Sequence, residues 1–319
     1  MERNLFSFLY VALFLFLILF ADFVGDMSPL NFYHPYTVLI AHLDKFIGSW
    51  TSIIVLIVCE CHLTRLPDSV GDLTSLFWLV VGYNQLTHLP DSIENLSSLL
   101  RLEASNNKLV HIPDSIGNLT SLVELDIGYN QLTNLPDSIG NLYSLIELDV
   151  SHNQLANLPD SIGNLTSLNR LRVKDNQLHR LPESIGNLMN LCRMNVCNND
   201  LTHLPESIGA LISLTCMRAS FNKFSHIPDS IGNLTSLLEL EFACNMLTQF
   251  PESFGNLSNL IELDLGHNQL TQLPDSIRNL TSLTKLDVSS NHVTETKEGK
   301  DDIKRRFGRI GLKLIIYHH

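Results

Sequence analysis

Basic residues are scarce in this chain of 319 residues, which has 21 Lys and Arg against 33 Asp and Glu and a net charge of −12. A chain with that balance is a poor candidate for binding nucleic acid through its phosphates. Only 17% of the residues are charged and 45% are hydrophobic, a composition that excludes a disordered acidic segment. The 16 glycines and 12 prolines are too few for a collagen-like chain, and the succession of long apolar segments typical of a polytopic membrane protein is missing.

The prolines that are present follow a strict order. Ten of the 12 recur at intervals of 23 residues, at Pro67, Pro90, Pro113, Pro136, Pro159, Pro182, Pro205, Pro228, Pro251 and Pro274. Ten asparagines keep the same interval, at Asn84, Asn107, Asn130, Asn153, Asn176, Asn199, Asn222, Asn245, Asn268 and Asn291. A period of this length indicates a solenoid of stacked structural repeats.

One repeat, from Leu122 to Ser144, is LVELDIGYNQLTNLPDSIGNLYS. Its pattern L-x-x-L-x-I-x-x-N-x-L-x-x-L-P resembles the leucine-rich repeat, and the resemblance covers residues 53–294. The repeat length and the LP-(D/E)-SIGNL segment are similar to the Ras-associated scaffold subclass and to plant intracellular and Roco-type arrays. The resemblance implies an α/β solenoid: a leucine-rich repeat horseshoe with a concave parallel β-sheet and short convex helical or 3₁₀ turns.

The residues within each repeat predict the same architecture. Around Leu125 and Ile127, apolar and polar residues alternate as they do in a half-buried strand. The asparagine that follows can hydrogen-bond the backbone of the turn, so the asparagines should form a ladder of satisfied buried amides. Pro followed by Asp or Glu predicts the start of a short helical turn, and the glycine three residues later predicts its end. One repeat cannot bury its own apolar face, so stability must come from stacking.

Both ends of the chain depart from the repeat. Residues 27–52 align as a degenerate N-terminal capping repeat without the proline or the asparagine, and residues 53–294 form the repeat array. Residues 295–319 are charged, have helical spacing at Ile303, Phe307 and Ile310, and continue into the apolar run Leu312–Tyr317. We predict a C-terminal cap, a helix plus a final strand, that covers the open end of the core.

Residues 1–26 form a separate hydrophobic N-terminal segment, either a signal anchor or an apolar extension of the solenoid. Within it, residues 5–21 are interrupted only by Ser7 and Tyr10, which is at the short limit for a membrane span and also suits a signal peptide. Membrane association through residues 5–21, or a secretory route, would place the repeats on the exoplasmic side. The resemblance implies disulfide-bonded caps in exported members, and the lack of such cysteine caps favours cytoplasmic repeats. The sequence leaves both locations open.

Candidate chemistry is weak throughout the sequence. There is no P-loop, GxSxG or HExxH segment. Cys59 and Cys61, on the predicted first strand, could suggest a metal or redox pair, but a structural role at the asparagine position is preferred. Histidines recur one repeat apart at His88 and His111 and at His203 and His226. Two ligands without a third make a poor metal site, so we predict no enzymatic activity, no metal and no cofactor.

The informative variation lies at the outward-facing strand positions, which are successively apolar, acidic, basic and acidic. Like charges on neighbouring strands are destabilising, so a chain selected only for stability would alternate their signs. We therefore predict a partner-binding surface on the concave face. Its residues are Trp78, Arg101, Glu124, Asp126, Glu147, Asp149, Arg170, Arg172, Lys174, Arg193, Arg218, Glu239, Glu241, Glu262 and Asp264.

Two functions are consistent with these features. The first is a non-catalytic protein-protein interaction module that binds a partner on its charge-striped concave face and serves as a signalling scaffold. The resemblance implies that the partner is a small GTPase or another signalling protein. The alternative is a membrane-anchored or exported receptor-like leucine-rich repeat protein that recognises an extracellular ligand.

Overall fold

The computed structural model describes residues 52–307 and 312–316. In this part of the chain, twelve short parallel strands form one open sheet in which the spatial order follows the chain order, as predicted. The strands are β1 (Val55–Ile57), β2 (Trp78–Val80), β3 (Arg101–Glu103), β4 (Glu124–Asp126), β5 (Glu147–Asp149), β6 (Arg170–Arg172), β7 (Arg193–Asn195), β8 (Cys216–Arg218), β9 (Glu239–Glu241), β10 (Glu262–Asp264), β11 (Lys285–Asp287) and β12 (Lys313–Ile315). The segment 1–26, and all but the last residue of the predicted capping repeat 27–52, lie outside the described residues.

Short 3₁₀ turns connect the strands on the opposite, convex side of the solenoid. They span Asp68–Asp72, Asp91–Asn95, Asp114–Asn118, Asp137–Asn141, Asp160–Asn164, Glu183–Asn187, Glu206–Ala210, Asp229–Asn233, Glu252–Asn256, Asp275–Asn279 and His292–Thr294. In each of the first ten, the repeat proline immediately precedes the turn in an extended conformation, and its carbonyl accepts the N–H of the residue three positions on, as Pro136 does from Ile139. The fixed φ of proline suits this entry to the turn.

The core is a continuous column of aliphatic side chains. The middle residue of every strand from β1 to β11 is buried, and the register pairs Leu125 with Leu148 and Leu148 with Leu171. Buried leucines and isoleucines from the turns, such as Ile139 and Leu142, complete each layer. Each layer is covered by the next, which is how repeats too small to fold alone gain stability.

The asparagine ladder is present and has one bonding pattern. Asn153 is buried; its Nδ2 donates to the carbonyls of Val150 and Ser151 in its own repeat and of Ile127 in the preceding one, at 3.0–3.2 Å. Its Oδ1 accepts the N–H of Leu132 at 2.9 Å. The side chain therefore satisfies backbone groups of two repeats at once, and the same contacts recur at the other ladder asparagines.

The glycine of the convex turn has a different role from the one predicted. Gly140 lies inside the turn Asp137–Asn141, and Leu142 is the residue that caps it. A Cβ on Gly140 would lie 2.4 Å from the backbone oxygen of Ser161 in the next repeat. The prediction that glycine ends the turn was wrong: its missing side chain allows adjacent turns to approach closely.

The C-terminal residues of the described chain form helix α1 (Lys297–Phe307) and strand β12. Helix α1 buries Ile303 and Phe307 against the core, and β12 pairs in parallel with β11. Arg306 fixes the helix to the last full repeat, since its guanidinium lies 3.0 Å from the carboxylate of Asp275. Across the described ranges, no helix has the length and apolar character that a membrane crossing requires.

Candidate partner-binding surface

Two columns of side chains cover the concave face of the sheet. In β1 to β11 the first and third residues face outward while the second is buried, and in β12 the second residue, Leu314, is partly buried. The first column consists of Val55, Trp78, Arg101, Glu124, Glu147, Arg170, Arg193, Cys216, Glu239, Glu262, Lys285 and Lys313. The second consists of Ile57, Val80, Glu103, Asp126, Asp149, Arg172, Asn195, Arg218, Glu241, Asp264, Asp287 and Ile315. The structure thus places all but one of the predicted site residues in two adjacent rows.

Charges of one sign are grouped along these rows. We name three groups: the first acidic block (Glu124, Asp126, Glu147, Asp149), the basic block (Arg170, Arg172, Arg193, Arg218) and the second acidic block (Glu239, Glu241, Glu262, Asp264). Like-charged residues are direct register partners at Glu124↔Glu147, Asp126↔Asp149, Arg170↔Arg193, Glu239↔Glu262 and Glu241↔Asp264. The sheet therefore carries the like-charge neighbours that cross-strand energetics disfavour.

Opposite charges meet where two blocks adjoin. At one border, the guanidinium of Arg170 lies 3.1 Å from Glu147, and that of Arg172 lies 3.7 Å from Glu147 and 3.6 Å from Asp149. At the other border, Arg218 lies 3.3 Å from Glu241 and 3.8 Å from Glu239. These side chains are 24–47% exposed, so each ion pair contributes little stability.

Arg193 lies between these borders and differs from the other arginines of the basic block. Among the described residues, no carboxylate forms an ion pair with it. It lines a depression of about 300 Å³, whose charged and amide-bearing walls are Arg170, Arg172, Arg193, Asn195, Arg218 and Glu239. Four guanidinium groups therefore line this recess.

Burial and neighbouring charges shift several pKa values on this surface. Desolvation is the largest influence on Asp126 and Asp264 and raises the pKa of both carboxyls, and their acidic neighbours Asp149 and Asp287 raise it further. The carboxylate of Glu241 raises the pKa of Arg218. Desolvation raises the pKa of the Cys216 thiol to about 11, so this residue stays a neutral thiol inside the charged surface.

The remaining predicted site residues are at the margins of the blocks. Trp78 is 48% exposed and stands among other exposed apolar residues at the start of the sheet, Val55, Ile57 and Phe77. Arg101 pairs with Glu103 and Glu124 at 3.0 and 3.2 Å. Lys174 follows β6 in the turn, outside the two columns, and pairs with Asp175 at 3.2 Å.

A rim beside the sheet carries residues that sequence reasoning missed. The residue before each ladder asparagine has a left-handed backbone, and this position holds Tyr129 (φ 52°), His152 (φ 55°) and Asp175 (φ 53°) in consecutive repeats. The rings of Tyr129 and His152 stack at 3.9 Å, and His152 Nε2 lies 3.2 Å from Asp175. Side chains other than Gly, Asn and Asp rarely adopt this backbone. Large residues at such a position are the signal that could have identified the rim.

The cysteines and histidines considered from the sequence do not assemble into a cluster. Cys59 and Cys61 follow β1, which ends at Ile57, so their placement on the first strand was wrong. Cys61 is buried at the asparagine position, and its Sγ donates to the carbonyl of Cys59 at 3.1 Å. All six cysteines are free thiols. Within the described ranges, no three His, Cys, Asp or Glu side chains are grouped as metal ligands.

Comparison with known proteins supports the repeat assignment. A model described as "Leucine-rich repeat region" matches residues 41–131 and 171–265, and a second, described as "Leucine rich repeat", matches residues 120–178 and 250–293. No curated protein matches the chain significantly.

Solved structures of similar fold come from bacteria and plants. YopM, a leucine-rich effector protein from Yersinia pestis, is 29% identical with a TM-score of 0.64; the match covers 82% of this chain and 67% of YopM. The ectodomain of the receptor kinase GASSHO1/SCHENGEN3 from Arabidopsis thaliana is 28% identical with a TM-score of 0.62, over 80% of this chain and 34% of the receptor chain. The plant peptide hormone receptor RGFR1 is 29% identical with a TM-score of 0.62, over 84% and 48% of the two chains.

This chain thus spans between a third and a half of the two plant receptor chains. The first family model alone covers more than half of its residues. Together with the single parallel sheet and the asparagine ladder, that match shows that the chain belongs to the leucine-rich repeat family.

Proposed function

We propose that this protein is a non-catalytic interaction module that binds a protein partner on its concave face. The observation that carries the proposal is the grouping of like charges into register-paired blocks across β4 to β10. Leucine-rich repeat folds are protein-interaction modules, and the structures of GASSHO1/SCHENGEN3 and RGFR1 were solved in complex with CASPARIAN STRIP INTEGRITY FACTOR 2 and RGF2, respectively. A concave row of alternating charge blocks orients a partner and accelerates its encounter.

The proposed partner carries charges that complement the blocks. The basic block would contact acidic groups of the partner, and the two acidic blocks would contact basic groups on either side. The exposed apolar residues around Trp78 supply area for a buried anchor at the start of the sheet. A small GTPase or another signalling protein, bound by a scaffold, is the partner class and role that we include in this proposal.

Charge reversal tests the concave face. The test variant replaces Arg170, Arg172, Arg193 and Arg218 with Glu. The matched control makes the same change in net charge outside the strand columns. It replaces four exposed basic residues with Glu: Arg65, Lys108, Arg180 and Lys223. Far-UV circular dichroism and urea unfolding establish that both variants are folded.

Tagged wild-type and control protein should capture the same partner from a lysate, and the test variant should lose it. Equal capture by all three proteins would exclude the basic block as a binding element. Loss with both variants would show that net charge alone, and not the concave face, governs capture.

A second candidate is a membrane-anchored or exported receptor-like protein that binds an extracellular ligand. The apolar residues 5–21 and the similarity to two plant receptors favour it. Deletion of residues 1–26 should then release the protein from membranes, and glycosidase should shift its mobility. A full-length protein that stays soluble and insensitive to glycosidase would exclude this candidate.

A further inference from the structure

The charge order of the concave face is nearly symmetric about strand β7. Along the second column, three acids are followed by an Arg-Asn-Arg centre and then by three more acids: Glu103, Asp126, Asp149, Arg172, Asn195, Arg218, Glu241, Asp264 and Asp287. In the first column, two acids likewise flank the centre on each side: Glu124, Glu147, Arg170, Arg193, Cys216, Glu239 and Glu262. A surface with this order has one centre, and that centre is β7.

The arginines on either side of β7 form ion pairs with the acidic blocks that flank the centre. Arg170 and Arg172 are paired with the first acidic block, and Arg218 with the second. Arg193 and Asn195, both on β7, remain between them. Asn195 Oδ1 accepts the N–H of Cys197 at 3.1 Å. The Nδ2 donor of Asn195 is therefore left to bind a ligand.

The recess therefore presents hydrogen-bond donors of Arg193 and Asn195 to a ligand. The thiol of Cys216 does not compete for a ligand, because its Sγ is 3.3 Å from Glu239 Oε2 and its hydrogen is directed to that carboxylate. Guanidinium groups accept no hydrogen bonds and cannot lose their charge in a protein. An acceptor-rich anion is the ligand chemistry that fits a space of about 300 Å³ bounded in this way.

We propose that this recess binds a phosphorylated side chain of the partner, in an extended segment that carries basic residues on both sides of the phosphate. This inference rests on the proposed concave-face function and adds the chemistry of the ligand. A phosphate has three acceptor oxygens and a charge near −2, so it can bond Arg193 and the arginines around it together. A carboxylate has two oxygens, which one guanidinium already satisfies in a bidentate pair.

The spacing of the flanking basic residues follows from the sheet. The middle of each acidic block lies two and a half strands from β7, which is about 12 Å at a strand separation of about 4.8 Å. An extended peptide that crosses the strands advances about 3.4 Å per residue. The basic residues should therefore lie about three to four positions before and after the phosphorylated residue.

A defined peptide tests this pattern without knowledge of the natural partner. The probe is a fluorescein-labelled peptide with phosphoserine at its centre, two alanines on each side and two lysines at each end. Three comparison peptides carry serine at the centre, carry glutamate there, or keep the composition with all four lysines on one side of the phosphoserine. Affinity is measured by fluorescence anisotropy with the full chain.

We expect the symmetric phosphoserine probe to bind at least about tenfold more tightly than the serine, glutamate and one-sided peptides, the scale of a charge-assisted hydrogen bond. Arg193→Ala should remove most of the preference for phosphoserine over serine. Arg193→Lys should retain part of the preference, because it keeps the positive charge but loses the paired N–H donors of the guanidinium group. Arg180→Ala, a control in the loop after β6, should behave as wild type.

Two results would overturn the inference: equal affinity of wild type for the phosphoserine and serine peptides, or an undiminished preference in Arg193→Ala. Undetectable binding of the phosphoserine probe counts as the first of these. Failure here is distinct from failure of the concave-face function. If the fourfold reversal abolishes capture of a partner that phosphatase treatment of the lysate does not affect, the face binds proteins but the phosphate assignment is wrong.

Discussion

Replacing a single ladder asparagine should lower the free energy of unfolding by a measurable amount. In Asn153→Ala, the carbonyls of Ile127, Val150 and Ser151 lose a shared donor group, and the N–H of Leu132 loses its acceptor. The amide has two hydrogens for three carbonyls, so the side chain makes about three full hydrogen bonds. At a net value of about 1 kcal/mol each, the substitution should lower the free energy of unfolding by about 3 kcal/mol.

Equilibrium urea unfolding, followed by far-UV circular dichroism, measures this loss. Ser161→Ala is the matched control, because Ser161 lies in the neighbouring convex turn with a buried hydroxyl that has no hydrogen-bond partner within the described residues. Removing an unpaired hydroxyl forfeits no bond, so this variant should be as stable as wild type or slightly more stable. If Asn153→Ala lost less than about 0.5 kcal/mol, or no more than Ser161→Ala, the ladder would not be the element that joins adjacent repeats.

Three further predictions concern the charge blocks, the end of the core and the thiols. Asp126→Asn keeps the acceptor for the N–H of Gly128 and removes a like charge opposite Asp149, so it should raise the free energy of unfolding by about 0.2–1 kcal/mol at neutral pH. Because the pKa of Asp126 is raised above its unfolded value, folding takes up a proton in the acidic range, and the contribution of this group to the free energy of unfolding falls as the pH rises. The difference in the free energy of unfolding between Asp126→Asn and wild type should therefore shrink as the pH is lowered toward the raised pKa. A difference that stays constant with pH in urea unfolding would contradict this cause. Ile303→Ala, at a side chain only 1% exposed, should weaken the packing of α1 against the core by roughly 2–4 kcal/mol. Amide hydrogen exchange should then become faster in β11 while β3 stays protected. Uniformly faster exchange would show that the array unfolds as one unit. Cys216, with its pKa near 11, should react with iodoacetamide at pH 8 at least about tenfold more slowly in the native protein than in urea, as followed by peptide mass spectrometry, and equal rates would contradict its burial.

Much of the fold follows from the spacing of a few residue types. The interval between Leu125 and Leu148 is enough to predict their pairing, because only stacking in one register buries both. The interval between asparagines predicts the ladder for the same reason. The role of Gly140 could not be predicted, since it depends on a distance of a few ångströms to Ser161 in the next repeat. A local pattern does not contain that distance.

The candidate surface was predicted as a set of residues but not as an arrangement of contacts. The alternation of side chains places Arg172 and Arg193 on one face, and the structure places them there. Which guanidinium pairs with an acid depends on rotamers and on the geometry of neighbouring strands. The sequence therefore could not distinguish Arg193 from Arg172, although this distinction defines the recess.

The charge order itself is difficult to explain from within the fold. Leucines and asparagines supply the packing and the backbone hydrogen bonds, so the outward strand positions are free to vary without loss of the framework. Five like-charged register pairs within the blocks oppose stability. A chain that exchanged Glu147 with Arg170 would turn two of them into attractive neighbours and keep opposite charges on β5 and β6, without altering the core. The ion pairs at the block borders are exposed and recover little of that cost. This pattern gives the isolated chain no stability, yet it is ordered about one strand across seven repeats. We therefore propose that its physical reason is a partner that carries the opposite order.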